Sequence, residues 1–229
     1  MTRFSPLDLN VGYQLWNFVN SWFKNPQGQP HDFEDKVSEI LLEGGYITFV
    51  RRRVHGKSCV NHEYDIITKK KNDKMFLLIE CKTGSNLLSK NEVLSFYARA
   101  YDIFNLTGKV LEVTRANRVF EYPFEDVYCV LISSVPLEKS ALICALAFGI
   151  LVIQPYCKFE SYISIPPIQV DYFRLICSKR RVNEGFKQEV EKLCKLTFRG
   201  LLEGQGKIFS GQHLYTILEK YHKIIITLL

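Results

Sequence analysis

EYDIITKKKNDKMFLLIECK, residues 63–82, holds two strand-like runs on either side of a polar turn. EYDIIT (63–68) and MFLLIECK (75–82) are apolar and rich in strand formers, and KKKND joins them as a hairpin connection. The second run ends on an acid and a base two residues apart, Glu80 and Lys82, which strand alternation places on one face. Opposite charges at the end of a buried apolar strand cost desolvation unless something there uses them. Asp65 lies fifteen residues upstream of Glu80 on the partner strand, and alternation gives Glu63 the same face as Asp65. Three carboxylates and one ammonium are therefore expected in a small volume.

Such a cluster repels itself when empty, and a hard divalent cation with oxygen ligands relieves the repulsion. Magnesium, held by one or two carboxylates together with waters and a phosphate oxygen, is the expected cofactor; manganese is expected to substitute for it.

Upstream, YITFVRRRV (46–54) has strand character and HGKSCVN is a loop. Before them, HDFEDKVSEILLEGGY reads as a helix with Asp32 as its cap, Phe33, Val37, Ile40 and Leu41 on one face, and Gly44-Gly45 as its stop. An aromatic-rich helix over 7–23 precedes the linker NPQGQP at 25–30. Downstream, 89–105 reads as a helix and 108–122 is ambiguous between a hairpin and a short helix. VYCVLISS (127–134), LEKSALICALAF (137–148) and ILVIQ (150–154) form a β-α-β run, and apolar strands without alternation imply a sheet covered on both faces.

The remainder differs in character. A Pro-rich stretch, SIPPIQV, leads to SKRR (178–181), a helix near 184–203, the Gly-rich turn GQGKIFSG and a last helix from about 212. The GQGK element lacks the spacing and the Ser or Thr of a phosphate loop and reads as a helix-helix turn. The net charge is +6, and +5 of it falls in residues 158–229, which carry 12 Lys and Arg against 7 Asp and Glu. A basic tail beside a nearly neutral body suggests a binding surface for a polyanion. Hydrophobic residues at 47% and charged residues at 24% exclude a disordered chain. The apolar stretch 140–153 is divided by Gly149 and is shorter than the roughly 20 residues a bilayer requires. MTRFSPLDLN has no apolar core of a secretory signal, so a soluble, cytoplasmic protein with no membrane partner is expected. Seven cysteines, none closer than 13 residues to the next, give no zinc knuckle, iron–sulfur or disulfide pattern, and buried free thiols are expected.

The ordered set FE-x11-Y, HEYDI and LLIECK resembles the PD-(D/E)XK, or restriction-endonuclease-like, nuclease superfamily. Within it the stretch is similar to the Mrr-type restriction endonucleases and, more distantly, to archaeal Holliday junction resolvases. GKSCVNHEYDI, with YARAYDI after the core, resembles a subgroup that places His-Glu just before the Asp. The resemblance spans about residues 31–157 and implies an α/β fold, a restriction-endonuclease-like mixed sheet flanked by helices. Residues 1–30 form an N-terminal helix and linker outside it, and 158–229 a basic helical C-terminal extension.

The resemblance further implies Glu34, Asp65, Glu80 and Lys82 as catalytic residues, with His62 and Glu63 accessory. Asp65 and Glu80 would hold the metal, Lys82 would orient water or neutralise charge on the phosphate, and Glu34 would bind a second metal or a metal-bound water. The implied activity is phosphodiester hydrolysis leaving a 5′ phosphate and a 3′ hydroxyl, on DNA. A structure-specific junction or flap nuclease and a catalytically silent nucleic-acid-binding module are the alternatives, and a homodimer stays open. Arg51, Arg53 and Lys57 beside the site, and Lys179, Arg180 and Arg181 in the tail, are the candidate nucleic-acid contacts, with Arg52 sent to the opposite face by alternation. The plain alternative is a solvated strand end bearing an ordinary ion pair; agreement of four positions in order and context weighs against it.

Overall fold

A computed structural model of the chain describes residues 7–106, 109–115, 118–155, 158–159, 162–163 and Gly185. Two helices open the fold: α1 (Leu9–Lys24) and α2 (Pro30–Glu43). Asp32 is not the cap of α2. Gln29 caps it, Pro30 occupies the first turn, and Asp32 reaches back to accept the Gln29 N–H at 2.6 Å. This is a capping box, with proline placed where its missing donor costs nothing.

Three strands follow, β1 (Tyr46–His55), β2 (Asn61–Lys70) and β3 (Met75–Lys82), then α3 (Lys90–Phe104), which starts on a Ser89–Glu92 capping box. The segment that sequence leaves ambiguous is a hairpin, β4 (Val110–Arg115) with β5 (Arg118–Pro123). The β-α-β run is β6 (Asp126–Ser133), α4 (Lys139–Ala147) and β7 (Leu151–Ile153). Gly149, at φ +68, supplies the left-handed turn that ends the helix and divides the apolar run. Among the described residues no helix is long and apolar enough to cross a membrane. A two-residue pairing of β8 (Lys158–Phe159) with β9 (Tyr162–Ile163) lies beyond. The helices expected near 184–203 and from 212, with Lys179, Arg180 and Arg181, lie outside the described residues.

Seven strands form one mixed sheet in the order β5-β4-β1-β2-β3-β6-β7. The fold is thus α/β, a mixed sheet flanked by helices. β1, β2 and β3 run antiparallel to their sequence neighbours, and β3, β6 and β7 run parallel. Helices cover both faces, as the unbroken apolar runs require. On one face Val37 and Leu41 of α2 and Leu15 of α1 pack with Ile66, Leu77, Ile79 and Ile132. On the other, Phe96 and Ile103 of α3 and Ala141 of α4 pack with Ile67, Leu78, Cys129 and Leu131. Cys81, Cys129 and Cys144 are buried free thiols as expected, whereas Cys59 is exposed in the β1–β2 loop.

Regular alternation fails at one place. Tyr64 packs in one core and Ile66 in the other, although residues two apart in a flat strand share a face. The flip falls at Asp65, whose place opposite, between Val50 and Arg52, is taken by Arg51 in a left-handed conformation with φ +50. A non-glycine residue there carries strain of order 1 kcal/mol, and such strain gathers at functional sites.

Candidate active site

The site forms where β2 and β3 part. Their ladder pairs Thr68 with Leu77, Ile67 with Leu78 and Ile66 with Ile79. Beyond it a side chain takes over, and Asp65 Oδ2 accepts the Cys81 N–H at 2.7 Å. Burial pushes the Asp65 carboxyl up to about 6; Glu80 and Glu34 add to the rise, while the Cys81 N–H and Lys82 oppose it.

Glu80 is 5% exposed, and its Oε1 receives Lys82 Nζ at 2.8 Å and Arg99 Nη2 at 2.9 Å. Burial acts against the Lys82 charge, but the field and hydrogen bond of Glu80 hold its ammonium above the ordinary value. Glu34, 7% exposed on α2, accepts from Arg51 Nη1 at 2.8 Å and lies 3.3 Å from His31 Nδ1. Arg51 also reaches Asp35 at 2.7 Å, so the strained residue is tied to α2 by two carboxylates. Cys81 lies among these groups: burial first, then Asp65, Glu34 and Glu80, drive its thiol pKa well up. The fold therefore brings Glu34, Asp65, Glu80 and Lys82 together from one helix and two strands.

The accessory candidates have other partners. Glu63 is exposed and pairs with Arg53 at 3.2 Å. His62 Nε2 donates to Asp102 Oδ2 at 2.7 Å, and the Ser58 N–H and hydroxyl reach the same carboxylate at 2.9 and 2.7 Å. Burial opposes the Asp102 charge, but Ser58 and His62 together hold it below the usual carboxylate range. This knot fastens the β1–β2 loop to α3. Of the expected phosphate contacts, Arg51 and Arg53 are engaged with carboxylates and Lys57 is exposed on the loop. Arg52 does part from its neighbours: its Nη1 lies 3.4 Å from the Arg51 carbonyl, and its Nε is buried without a partner among the described residues.

Arg99, which the sequence alone does not single out, joins the candidate site through Glu80. It lies within YARAYDI, three residues after the buried Phe96 and four before the buried Ile103, so a charged residue borders the apolar stripe of α3. Its guanidinium also donates to the Glu63 carbonyl at 2.8 Å through Nη1, and lies 5.7 Å from the centre of the Tyr64 ring. That double hold fixes Arg99 against Glu80.

No family model and no curated protein matches this chain. Among solved structures, a chain titled as a protein of unknown function, AF1548, is 16% identical with a TM-score of 0.41, covering 87% of this chain and 100% of that one. Likeness at that level leaves the site to be read from its own residues.

Among the described residues, no group of three or more His, Cys, Asp and Glu side chains is arranged as a ready-made metal cage. The donor chemistry still fits a hard divalent cation. Asp65, Glu80 and Glu34 offer only oxygen, and the Asp65 carboxyl is raised first by burial and then by Glu80 and Glu34. Glu80 and Glu34 are meanwhile balanced by Lys82, Arg99 and Arg51, so a cation would share those carboxylates with the basic side chains.

Proposed function

We propose that this chain is a magnesium-dependent endonuclease of the PD-(D/E)XK kind, hydrolysing phosphodiester bonds of DNA in restriction, defence or repair, with manganese able to replace magnesium. The observation that carries the reading is the convergence of Asp65, Glu80 and Lys82 at the fork between β2 and β3, with buried Glu34 alongside. Asp65 and Glu80, with Glu34, are the residues that would hold the cation. When bound, the cation supplies the Lewis acidity that makes water nucleophilic near neutral pH. Asp65 is fixed by the Cys81 N–H, and Glu80 by Arg99, so the carboxylates are oriented before substrate arrives. Lys82, held charged by Glu80, is the group placed to neutralise negative charge growing on a phosphate. Restriction-type cleavage, junction or flap cutting and a cytoplasmic setting all belong to this proposal.

A silent nucleic-acid-binding module is the second reading, favoured by the two cations already on Glu80 Oε1. Incubation with linear, nicked, branched and single-stranded DNA, in magnesium and in chelator, separates the two. The nuclease reading expects cleavage in magnesium or manganese only, absent in Glu80→Ala. Binding without cleavage in any metal supports the silent module.

A further inference from the structure

A groove of about 610 Å³ opens beside the end of β3. Its size falls within the roughly 300–1,000 Å³ typical of small-ligand pockets. Trp22 and Phe23, from the last turn of α1, form one wall, and Thr83, Gly84 and Asn86 form the other. Ser134 closes it, and its N–H donates to the Lys82 carbonyl at 2.8 Å. The groove is therefore continuous with the candidate site on the Lys82 side. Trp22 is itself held in place by packing edge-on against Phe33, with ring centres 5.2 Å apart.

The lining chemistry is specific. Two half-buried aromatic rings offer stacking surface, hydroxyl and amide groups offer hydrogen bonds, and no lining residue carries a charge. Gly84, at φ +150, presents bare backbone to open space: a Cβ built there meets nothing within 4 Å. Flat apolar walls with a polar edge suit a nucleobase, whose π faces stack on aromatic rings while its edges hydrogen-bond. A base stacked and paired within a continuous duplex cannot enter such a groove.

We propose that the groove receives the base of an unpaired nucleotide next to the phosphate engaged at Asp65, Glu80 and Lys82, so that the preferred substrate is DNA with a single-stranded or frayed segment. This rests on the nuclease reading and names its substrate class. It also gives α1, which lies outside the segment carrying the family resemblance, a part in binding, because α1 delivers Trp22 and Phe23 to the site.

The test is binding in chelator, where no metal-dependent cut occurs, followed by anisotropy of a labelled single strand on the order of ten nucleotides and of its blunt duplex. One stacked base is worth about fivefold to 150-fold in affinity. Phe23→Ala and Trp22→Ala are expected to weaken single-strand binding about tenfold each and duplex binding less than about twofold, with Trp22→Phe close to wild type. A melting curve checks that Trp22→Ala folds, and Phe23, outside the buried cores, serves if it does not. Equal losses on both DNAs, or no loss on the single strand, overturn the inference. Cleavage in magnesium is scored separately: a wild type that binds through Phe23 and Trp22 yet cuts nothing sinks the nuclease reading and leaves the groove standing.

Discussion

Asp65 spans the gap where two strands separate and accepts the backbone N–H of Cys81 at 2.7 Å. The bond supplies an acceptor for a strand N–H just past the end of the ladder, and it turns a carboxylate into a region already holding Glu80 and Glu34. The same residue thus completes the sheet and buries a carboxyl group beside two others.

Burial of that carboxyl, with Glu80 and Glu34 nearby, predicts a pH dependence in metal-free protein. Asp65 titrates near 6 when folded, against an ordinary value of 3.8, so between those values the folded state binds more protons than the unfolded. Stability contributed by this group is therefore greatest below about pH 4 and falls as pH rises to about 6. Asp65→Asn keeps an acceptor for Cys81 and removes the charge. It is expected to raise stability at pH 7 by on the order of 1 kcal/mol and to match wild type near pH 4. Melting curves of both proteins in chelator check this, and an Asn variant less stable at pH 7 contradicts it.

Magnesium should reverse the penalty. A cation that binds only the folded state raises stability by about 2.7 kcal/mol at one hundred times its Kd. Wild-type Tm should climb with magnesium concentration, whereas Asp65→Ala and Glu80→Ala should respond weakly and cut no DNA. Lys82→Ala should keep the Tm response while losing cleavage. Equal Tm responses in all four proteins would remove these carboxylates from the metal site.

Arg99 acts through Glu80, holding it at 2.9 Å while anchored to the Glu63 carbonyl at 2.8 Å. A positioning role of this kind is commonly worth about 10–100-fold in activity or metal affinity. Arg99→Lys keeps the charge but loses the forked hold, and should shift the magnesium dependence of cleavage upward. Unchanged kcat and unchanged magnesium dependence would reduce Arg99 to a packing residue.

Asp102 gathers His62 and both Ser58 donors, and a Cβ added at Gly56 would lie 1.8 Å from its Oδ2. Asp102→Ala and Gly56→Ala are each expected to lower Tm by a few degrees and leave the magnesium response intact. Because these bonds hold the Asp102 carboxyl below its usual range, the contribution is present above about pH 4 and disappears as pH falls through the lowered value. Loss of the magnesium response in Asp102→Ala would instead tie this knot to the metal site.

The basic tail is tested by salt. Charge reversal at Lys179, Arg180 and Arg181 should weaken DNA binding and flatten its salt dependence, since each phosphate contact releases counterions. Cleavage at saturating protein should survive. A slope equal to wild type would return DNA contact to the body of the protein.

Residue order alone was enough for the succession of helices and strands from residue 7 to 154 apart from 108–122, and for the two-sided burial of the sheet; it offered Asp65, Glu80 and Lys82 as candidates, with Glu34 added by the family resemblance. The elements and the Glu80–Lys82 pair are local matters: apolar runs, turn residues and an acid and a base at a strand end carry them within a few residues. That 110–123 is a hairpin on the β1 edge emerged in three dimensions, because its pairing partner lies some sixty residues away in the chain. Alternation counted along one strand put Glu63 beside Asp65; that Glu63 is exposed and pairs with Arg53 depends on the neighbouring strand, which one strand alone does not contain. Arg99, Asp102 and the Trp22 wall likewise depend on how α3 and α1 dock. Helix docking is set by the summed packing of both cores, a sum that no single segment contains.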